Sequence, residues 1–407
     1  MRFSSWVPGV SPFRRVIAAT TAVLAIAVTP HAGVAGADTP GADATAVEQD
    51  PFRRSPADLG SLRPGQIIAS RAITPMLDGK NIPDVRGWQI SFRSNDTRDE
   101  AIMAMTTLIV PTAPWTGPGA RPVVSQQFAQ DSAGRHCAPS VTMSTASGDP
   151  RIFLDRNWAV AVPDHEGPRA AFMAGVSGGH IVLDGIRAVR DLGEGGIGEA
   201  NPWAMDGYSG GAQPTGWAAQ LQPTYARELP LKGVALGGLP ADPAVVARNL
   251  DGHLFSGLML AGLAGLSAEH PEAGIETMLN APGRAMLQEM RSSCVDVITK
   301  YPLRTVGDYT DARDPISQPG PAAALRRHAL GADAPSAPVY SYHGNLDGVI
   351  PVGQADAAVR AWCSLGTPVQ SVRSPITEHI SEEVLNHQAA VRYLADRFDG
   401  EPVPDNC

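Results

Sequence analysis

Short apolar runs, punctuated by Gly and Pro, alternate with stretches of helical spacing along most of the chain. Residues 101–110 (AIMAMTTLIV) and 122–128 read as buried strands, each ended by a Pro- and Gly-rich loop. Segment 158–162 (WAVAV) is another strand, and 181–192 has apolar residues at helical spacing. Strand 203–206 runs into Gly207-Tyr208-Ser209-Gly210-Gly211, and a helix is expected at 217–221. Further strands are expected at 231–236, 339–342 and 369–372, and 382–398 is an amphipathic helix. Strands alternating with helices predict an α/β fold, a mostly parallel sheet with helices on both faces.

Residues 241–334 interrupt that rhythm. Strand signals vanish and helical stretches take over, including the apolar run 254–266 (LFSGLMLAGLAGL). A helical insertion between two strands of the sheet is expected. The run at 254–266 either packs the insertion's own core or lends one face to an apolar ligand tunnel, as pockets favour domain junctions. At the N-terminus, Arg14 and Arg15 precede an apolar stretch and then Ala35-Gly36-Ala37, the layout of a cleaved secretory signal. The apolar stretch falls short of the ~20 residues a spanning helix needs. The expected organisation is a signal peptide at 1–37, a core at 38–240 and 335–407, and the insertion at 241–334. The protein is expected to be secreted.

Composition narrows the partners. The chain has 407 residues and a formal net charge of −9, with no basic block in its body. Residues 1–37 carry three arginines and no acid, so their removal takes −9 to −12. Nucleic-acid binding is not expected from such a chain, and no obligate protein partner is indicated. Any contact with a lipid interface should use apolar surface of the insertion rather than attraction to an anionic membrane. Cys137, Cys294, Cys363 and Cys407 are an even set in an exported chain, so two disulfides are expected. Three connectivities are possible, and no Cys/His spacing suggests a metal site.

Gly-x-Ser-x-Gly occurs twice, at 175–179 and at 207–211, among 42 glycines. The motif makes a nucleophile only where a strand feeds a tight turn and then a helix, so that the serine stands exposed above the sheet. Ser209 follows strand 203–206. Ser177 would need a parallel strand at 170–174, and the short loop from 158–162 leaves no room for the crossover such a neighbour requires. A serine nucleophile also needs a base and an orienting acid, here in the chain order Ser, Asp, His. Asp347 sits in the loop after strand 339–342, and His379 follows strand 369–372 just before the last helix. His343 and His387 are weaker candidates for the base.

These residues resemble the secretory lipase family, the lipase A-like branch of the α/β-hydrolases. The resemblance runs in order through Asp50-Pro51-Phe52, Asp131-Ser132, Cys137-Ala138-Pro139-Ser140 and Pro163-Asp164-His165-Glu166-Gly167-Pro168. It continues through Val182-Leu183-Asp184, 207–212 and the Asp347 and His379 segments. It implies an α/β-hydrolase fold with a helical cap at 241–334 carrying a lid. It also implies an oxyanion hole from the Gly210 N–H and Asp131, and disulfides Cys137–Cys294 and Cys363–Cys407. Asp131 can serve there only if protonated or through its backbone N–H, because a carboxylate would repel the developing charge. Gln126-Gln127-Phe128 departs from the expected Tyr-Gln pair, which leaves substrate preference open.

The expected chemistry is lipid ester hydrolysis by acyl transfer through Ser209, His379 and Asp347, with no cofactor or metal. Short-chain ester hydrolysis and acyl transfer to an alcohol are the alternatives. A secreted binding protein that kept only the fold is the competing class.

Overall fold

The computed structural model describes residues 44–407; the signal peptide expected at 1–37 lies outside the described residues. A central sheet of nine strands organises the molecule, in the order β1-β4-β5-β7-β6-β8-β9-β10-β11. The strands are β1 (Ile67–Ile73), β4 (Val85–Asn95), β5 (Ala101–Pro111), β6 (Val123–Gln127) and β7 (Ala159–Pro163). They continue as β8 (Trp203–Tyr208), β9 (Leu231–Gly237), β10 (Val339–Gly344) and β11 (Val369–Ser374). A separate two-stranded hairpin holds β2 (Met76–Leu77) and β3 (Lys80–Asn81). From β7 to β11 all neighbours are parallel. The β1, β4 and β5 edge is antiparallel and joins β7 antiparallel. The apolar pattern signals β5 but not β1 or β4, whose Arg, Ser and Gln positions interrupt an apolar run.

Helices α1 (Ala44–Gln49), α2 (Arg151–Leu154), α3 (Gly175–Leu192) and α4 (Ala212–Tyr225) belong to the first part of the chain. Between the adjacent strands β9 and β10 the chain forms α5 (Pro243–Leu250), α6 (Ser256–Glu269), α7 (Ala281–Met290), α8 (Val297–Lys300) and α9 (Pro319–Arg327). Helices α10 (Val352–Ser364) and α11 (His379–Phe398) complete the fold. One apolar cluster joins Ile181, Ile186 and Trp362 to Leu108 and Val339, and a second joins Phe153, Val391 and Leu394 to Val160 and Tyr342. Alternate strand residues point to opposite faces, so the two clusters are the two covered faces of the sheet. Burial at ~25 cal/mol per Å² makes these clusters the main stabilising contribution.

The helices between β9 and β10 have a core of their own, with Leu260, Met286 and Met290. An ionic group of two buried acids and a half-buried arginine fastens them to the sheet domain: Arg169 meets Asp96 at 2.9 Å and Glu269 at 2.6 Å. The Cys137–Cys294 disulfide makes a second tie, and Cys363–Cys407 joins the end of α10 to the C-terminus. Among the described residues no helix is long and apolar enough to cross a membrane.

Candidate active site

Strand β8 ends at Tyr208, and Ser209 takes a left-handed φ of 52° before α4 begins. A non-Gly residue in that region is strained, and such strain gathers at functional turns. The flanking glycines are required by space. A Cβ at Gly207 would collide with Thr215 and the Gly211 carbonyl, and one at Gly211 with the Gln127 carbonyl. The Gln127 side chain accepts from Thr215 Oγ1 at 2.7 Å, so it braces the helix behind the serine. Gln126 does not line the cavity beside Ser209.

The other Gly-x-Ser-x-Gly segment opens α3, with Ser177 buried in the first helical turn rather than at a strand end. Its glycines serve packing. A Cβ at Gly178 would come within 2.8 Å of Pro214, and one at Gly179 within 2.9 Å of Ala218 N, so they let α3 and α4 lie close together.

Ser209 Oγ donates to His379 Nε2 at 2.8 Å, and His379 Nδ1 donates to Asp347 Oδ2 at 2.6 Å. Asp347 lies in the loop after β10. His379 is the first residue of α11, three residues upstream of the helix start expected from apolar spacing. Glu378 caps that helix, accepting from Ile380 N at 3.0 Å and Ser381 N at 2.7 Å, and this polar turn carries no apolar period. Tyr208 donates to the His379 carbonyl at 2.5 Å, tying the turn that bears His379 to the residue before Ser209. Burial first, then the nearby Asp347 charge, keeps the Tyr208 phenol protonated.

Asp347 is more fully held than the sequence indicated. Its Oδ1 accepts from Val349 N at 2.9 Å and Ile350 N at 2.8 Å, and His343 Nε2 stands 3.0 Å from Oδ2 and 2.9 Å from the Ile350 carbonyl, between which its N–H is shared. Burial pushes its carboxyl up, but the hydrogen bonds from His343 and His379 outweigh this and hold it well below the ordinary carboxylate range. His343 is thus a second partner of the acid. Its spacing of four residues from Asp347 was the available signal, but only the turn of the loop brings the two together. His387, mid-helix in α11, pairs with Asp206 at 3.0 Å instead of Ser209.

Asp131 lies beside the same turn with a φ of 48°. Its side chain is buried, Oδ1 has no hydrogen-bond partner, and a Cβ at Gly210 would collide with that oxygen. Burial raises its carboxyl to about 6, with His379 nearby opposing the rise and Glu383 adding to it. Glu166 is also pushed well up, by burial and by Asp131 itself, and accepts from Ser132 N at 3.4 Å. The Pro163–Pro168 stretch therefore braces the Asp131 loop: Asp164 accepts from Ser140 N at 2.8 Å, and His165 meets the Phe128 carbonyl at 2.8 Å.

Asp131, Ser209 and Gly210 border an apolar cavity whose empty space, counted out to the solvent at its mouth, is about 910 Å³. Helix α6 supplies Leu258, Met259, Gly262, Leu263 and Leu266 to its wall, a stripe at helical spacing. Other positions of α6, Leu260, Ala261 and Ala264, pack the insertion's core. One face of this helix therefore borders the cavity and another packs the insertion's core. Among the described residues His136, Cys137 and Cys294 converge as metal ligands would, but both sulfurs are joined in the disulfide.

Such a turn, with a serine, an imidazole and an ionised acid in one hydrogen-bonded line, can perform nucleophilic acyl transfer. Comparison with known proteins agrees. A family model described as "Secretory lipase" matches residues 136–406. The chain is 31% identical over 382 residues to "Secreted triacylglycerol lipase LIP1" of Malassezia furfur, covering 88% of this chain and 77% of that protein. It is also 31% identical to "Probable inactive lipase MT1628" of Mycobacterium tuberculosis, covering 88% and 83% of the two chains. The X-ray structure of Candida antarctica lipase A in its closed state superposes with a TM-score of 0.80 at 29% identity, covering 88% of this chain and 89% of that one. The chain belongs to the secretory lipase family of carboxylic ester hydrolases and carries the α/β-hydrolase fold.

Proposed function

We propose that the protein is a secreted lipase acting on triacylglycerols or similar lipid esters, with Ser209 as nucleophile, His379 as base and Asp347 as orienting acid. The carrying observation is the unbroken line Ser209–His379–Asp347 beside a large apolar cavity. Ser209 Oγ bonds to the ester carbonyl carbon while its proton passes to His379 Nε2. The imidazolium returns that proton to the departing alkoxide as the C–O bond breaks, leaving an acyl-serine. Water attacks the acyl carbon, gives its proton to His379, and the acid is released as Ser209 is reprotonated. The Gly210 N–H and the protonated Asp131 carboxyl stabilise the oxyanion of each tetrahedral intermediate.

Residues 241–334 act as a cap with a lid, and the two stretches around it, 38–240 and 335–407, form the hydrolase core. Residues 1–37 direct export and are removed. A relative named as an inactive lipase keeps a non-catalytic reading in view, and the strained Ser209 turn with its fully engaged acid argues against it here.

A fluorophosphonate probe tests the assignment. Labelling should vanish in Ser209→Ala and persist in Ser177→Ala; labelling that followed Ser177 would overturn it. Turnover of emulsified long-chain triglyceride should accompany labelling. Turnover confined to soluble short-chain esters would replace the lipase reading with the esterase one.

A further inference from the structure

Two buried histidines outside the active site meet across a short hydrogen bond: His270 Nε2 stands 2.8 Å from His328 Nε2. His270 caps the C-terminus of α6 and His328 that of α9. These two helices lend Leu266 and Leu325 to the cavity wall. His328 in turn rests on the sheet domain. Val176 N, in the first turn of α3, donates to its Nδ1 at 3.4 Å, and Trp217 Nε1 of α4 donates to its carbonyl at 3.1 Å. The pair is therefore a joint between the insertion and the helices α3 and α4.

The partners assign the tautomers. His270 Nδ1 lies 2.8 Å from Glu272 Oε1, so it carries a hydrogen. His328 Nδ1 faces an N–H and must accept. The one hydrogen between the two Nε2 atoms then belongs to His328. Two neutral rings satisfy the whole line, from Val176 N through His328 and His270 to Glu272. A third proton breaks it. If His270 takes the charge, its Nε2 becomes a donor, His328 Nε2 must accept, and the His328 hydrogen moves to Nδ1, against the Val176 N–H. If His328 takes the charge, its Nδ1 gains a hydrogen that opposes Val176 in the same way.

Charges of both signs surround the joint. Glu272, Glu269 and Asp96 favour a proton, while Arg327 beside His328, Arg98 and Arg169 oppose one. Helix α3 adds His180, which burial holds below the ordinary histidine range, and α4 carries no charged side chain. The C-termini of α6 and α9 favour a cation, and the N-terminus of α3 opposes one. Burial decides: it pushes His328 well down, with His270 and Arg327 adding. We propose that the His270–His328 pair is a proton-operated latch between the insertion and the sheet domain. Neutral, it seats the ends of α6 and α9 on α3; taking up a proton turns His328 Nδ1 into a donor against Val176 N and loosens that edge of the cavity wall. A histidine freed from the joint returns to its ordinary 6.5, so the loosened form binds the extra proton. Seating is complete above that pH and weakens as pH falls below it. The inference goes beyond the proposed function and takes from it only the reading of 241–334 as a cap.

Hydrogen exchange of the full chain, read by mass spectrometry and corrected for intrinsic rates, tests the latch. From about pH 7.5 to about pH 5, exchange in 258–270 and 319–328 should rise about ten-fold, as uptake of one proton over more than one pH unit requires, while 388–398 stays unchanged. His328→Asn keeps an acceptor towards Val176 but cannot be charged, and His270→Gln keeps an acceptor towards His328. Either should flatten the response. Asp131→Asn should keep it, which separates the latch from the titration of Asp131. No rise in the parent, an equal rise in 388–398, or a full response in both histidine variants would overturn the proposal. The parent alone decides the first two outcomes if the variants fold poorly. Turnover of p-nitrophenyl butyrate is measured on the same samples. The exchange response without turnover would leave the latch standing and remove the proposed function. Turnover without the response would do the reverse.

Discussion

Oδ1 of Asp131 occupies the space that a Cβ on residue 210 would need, so the acid and the backbone after Ser209 fit together only because Gly210 has no side chain. Gly210→Ala should therefore displace Asp131 and lower kcat about 10²-fold, the usual loss for one oxyanion donor. In an Asp131→Ala background the same change should cost much less, because the clash is gone. Steady-state kinetics of the four proteins checks this, and fully additive losses would show that the clash is not the cause.

Asp131 is raised from 3.8 to about 6, so it is neutral below that pH and charged above it. Between those two values the native state keeps a proton that the unfolded chain has released. The contribution of Asp131 to stability therefore falls as pH rises through this window. If the neutral carboxyl donates to the oxyanion, kcat/KM should carry a decline on raising pH that Asp131→Asn removes. Asn keeps a donor and tolerates the left-handed φ, whereas Asp131→Ala should lose about 10²-fold. A pH profile of Asp131→Asn that retained the wild-type decline would rule out the side chain as donor.

His343 supports Asp347 without touching the serine. His343→Phe removes the N–H at similar ring size and should lower kcat about ten-fold, with a stability loss of about 1–3 kcal/mol for the unpaired buried group. Asp347 is held below its ordinary 3.8, so its stabilisation is present above that pH and is lost as pH falls through the depressed value. His343→Phe should accordingly lower Tm more at neutral pH than in strong acid, and His343→Gln, which keeps a donor, should recover part of both effects.

The cavity wall contributed by α6 sets room for the acyl chain. Leu263→Trp adds bulk there and should reduce kcat/KM for long-chain esters at least about ten-fold while sparing butyrate esters, at an overpacking cost of about 1–3 kcal/mol. A chain-length series of p-nitrophenyl esters reads this directly. Equal loss at all lengths would place the acyl chain elsewhere.

Cys363–Cys407 closes a loop with a sequence separation of 44. Loop-closure entropy puts its contribution at about 4 kcal/mol. The double serine variant should lose a comparable amount in denaturant melts and keep soluble-ester activity at 25 °C, since neither cysteine borders the cavity.

The local pattern along the chain determined much of this protein. Apolar runs and helical spacing indicated the parallel strands, the helical insertion and the last helix, because element type follows from side-chain periodicity over a few residues. Crossover length alone favours Ser209 over Ser177 as the serine at a strand end. The antiparallel β1–β4 edge was not legible, since its polar positions follow from strand pairing rather than from an apolar run. The tertiary structure alone decided that His343 joins Asp347, that the glycines at 175–179 serve helix packing, and that α6 divides its faces between core and cavity. Resemblance had implied the cysteine pairing, but composition left three connectivities open. These features are contacts between residues far apart in sequence, Asp131 against Gly210 among them. Periodicity carries no information about which distant surfaces meet; only packing the elements around one sheet brings them together.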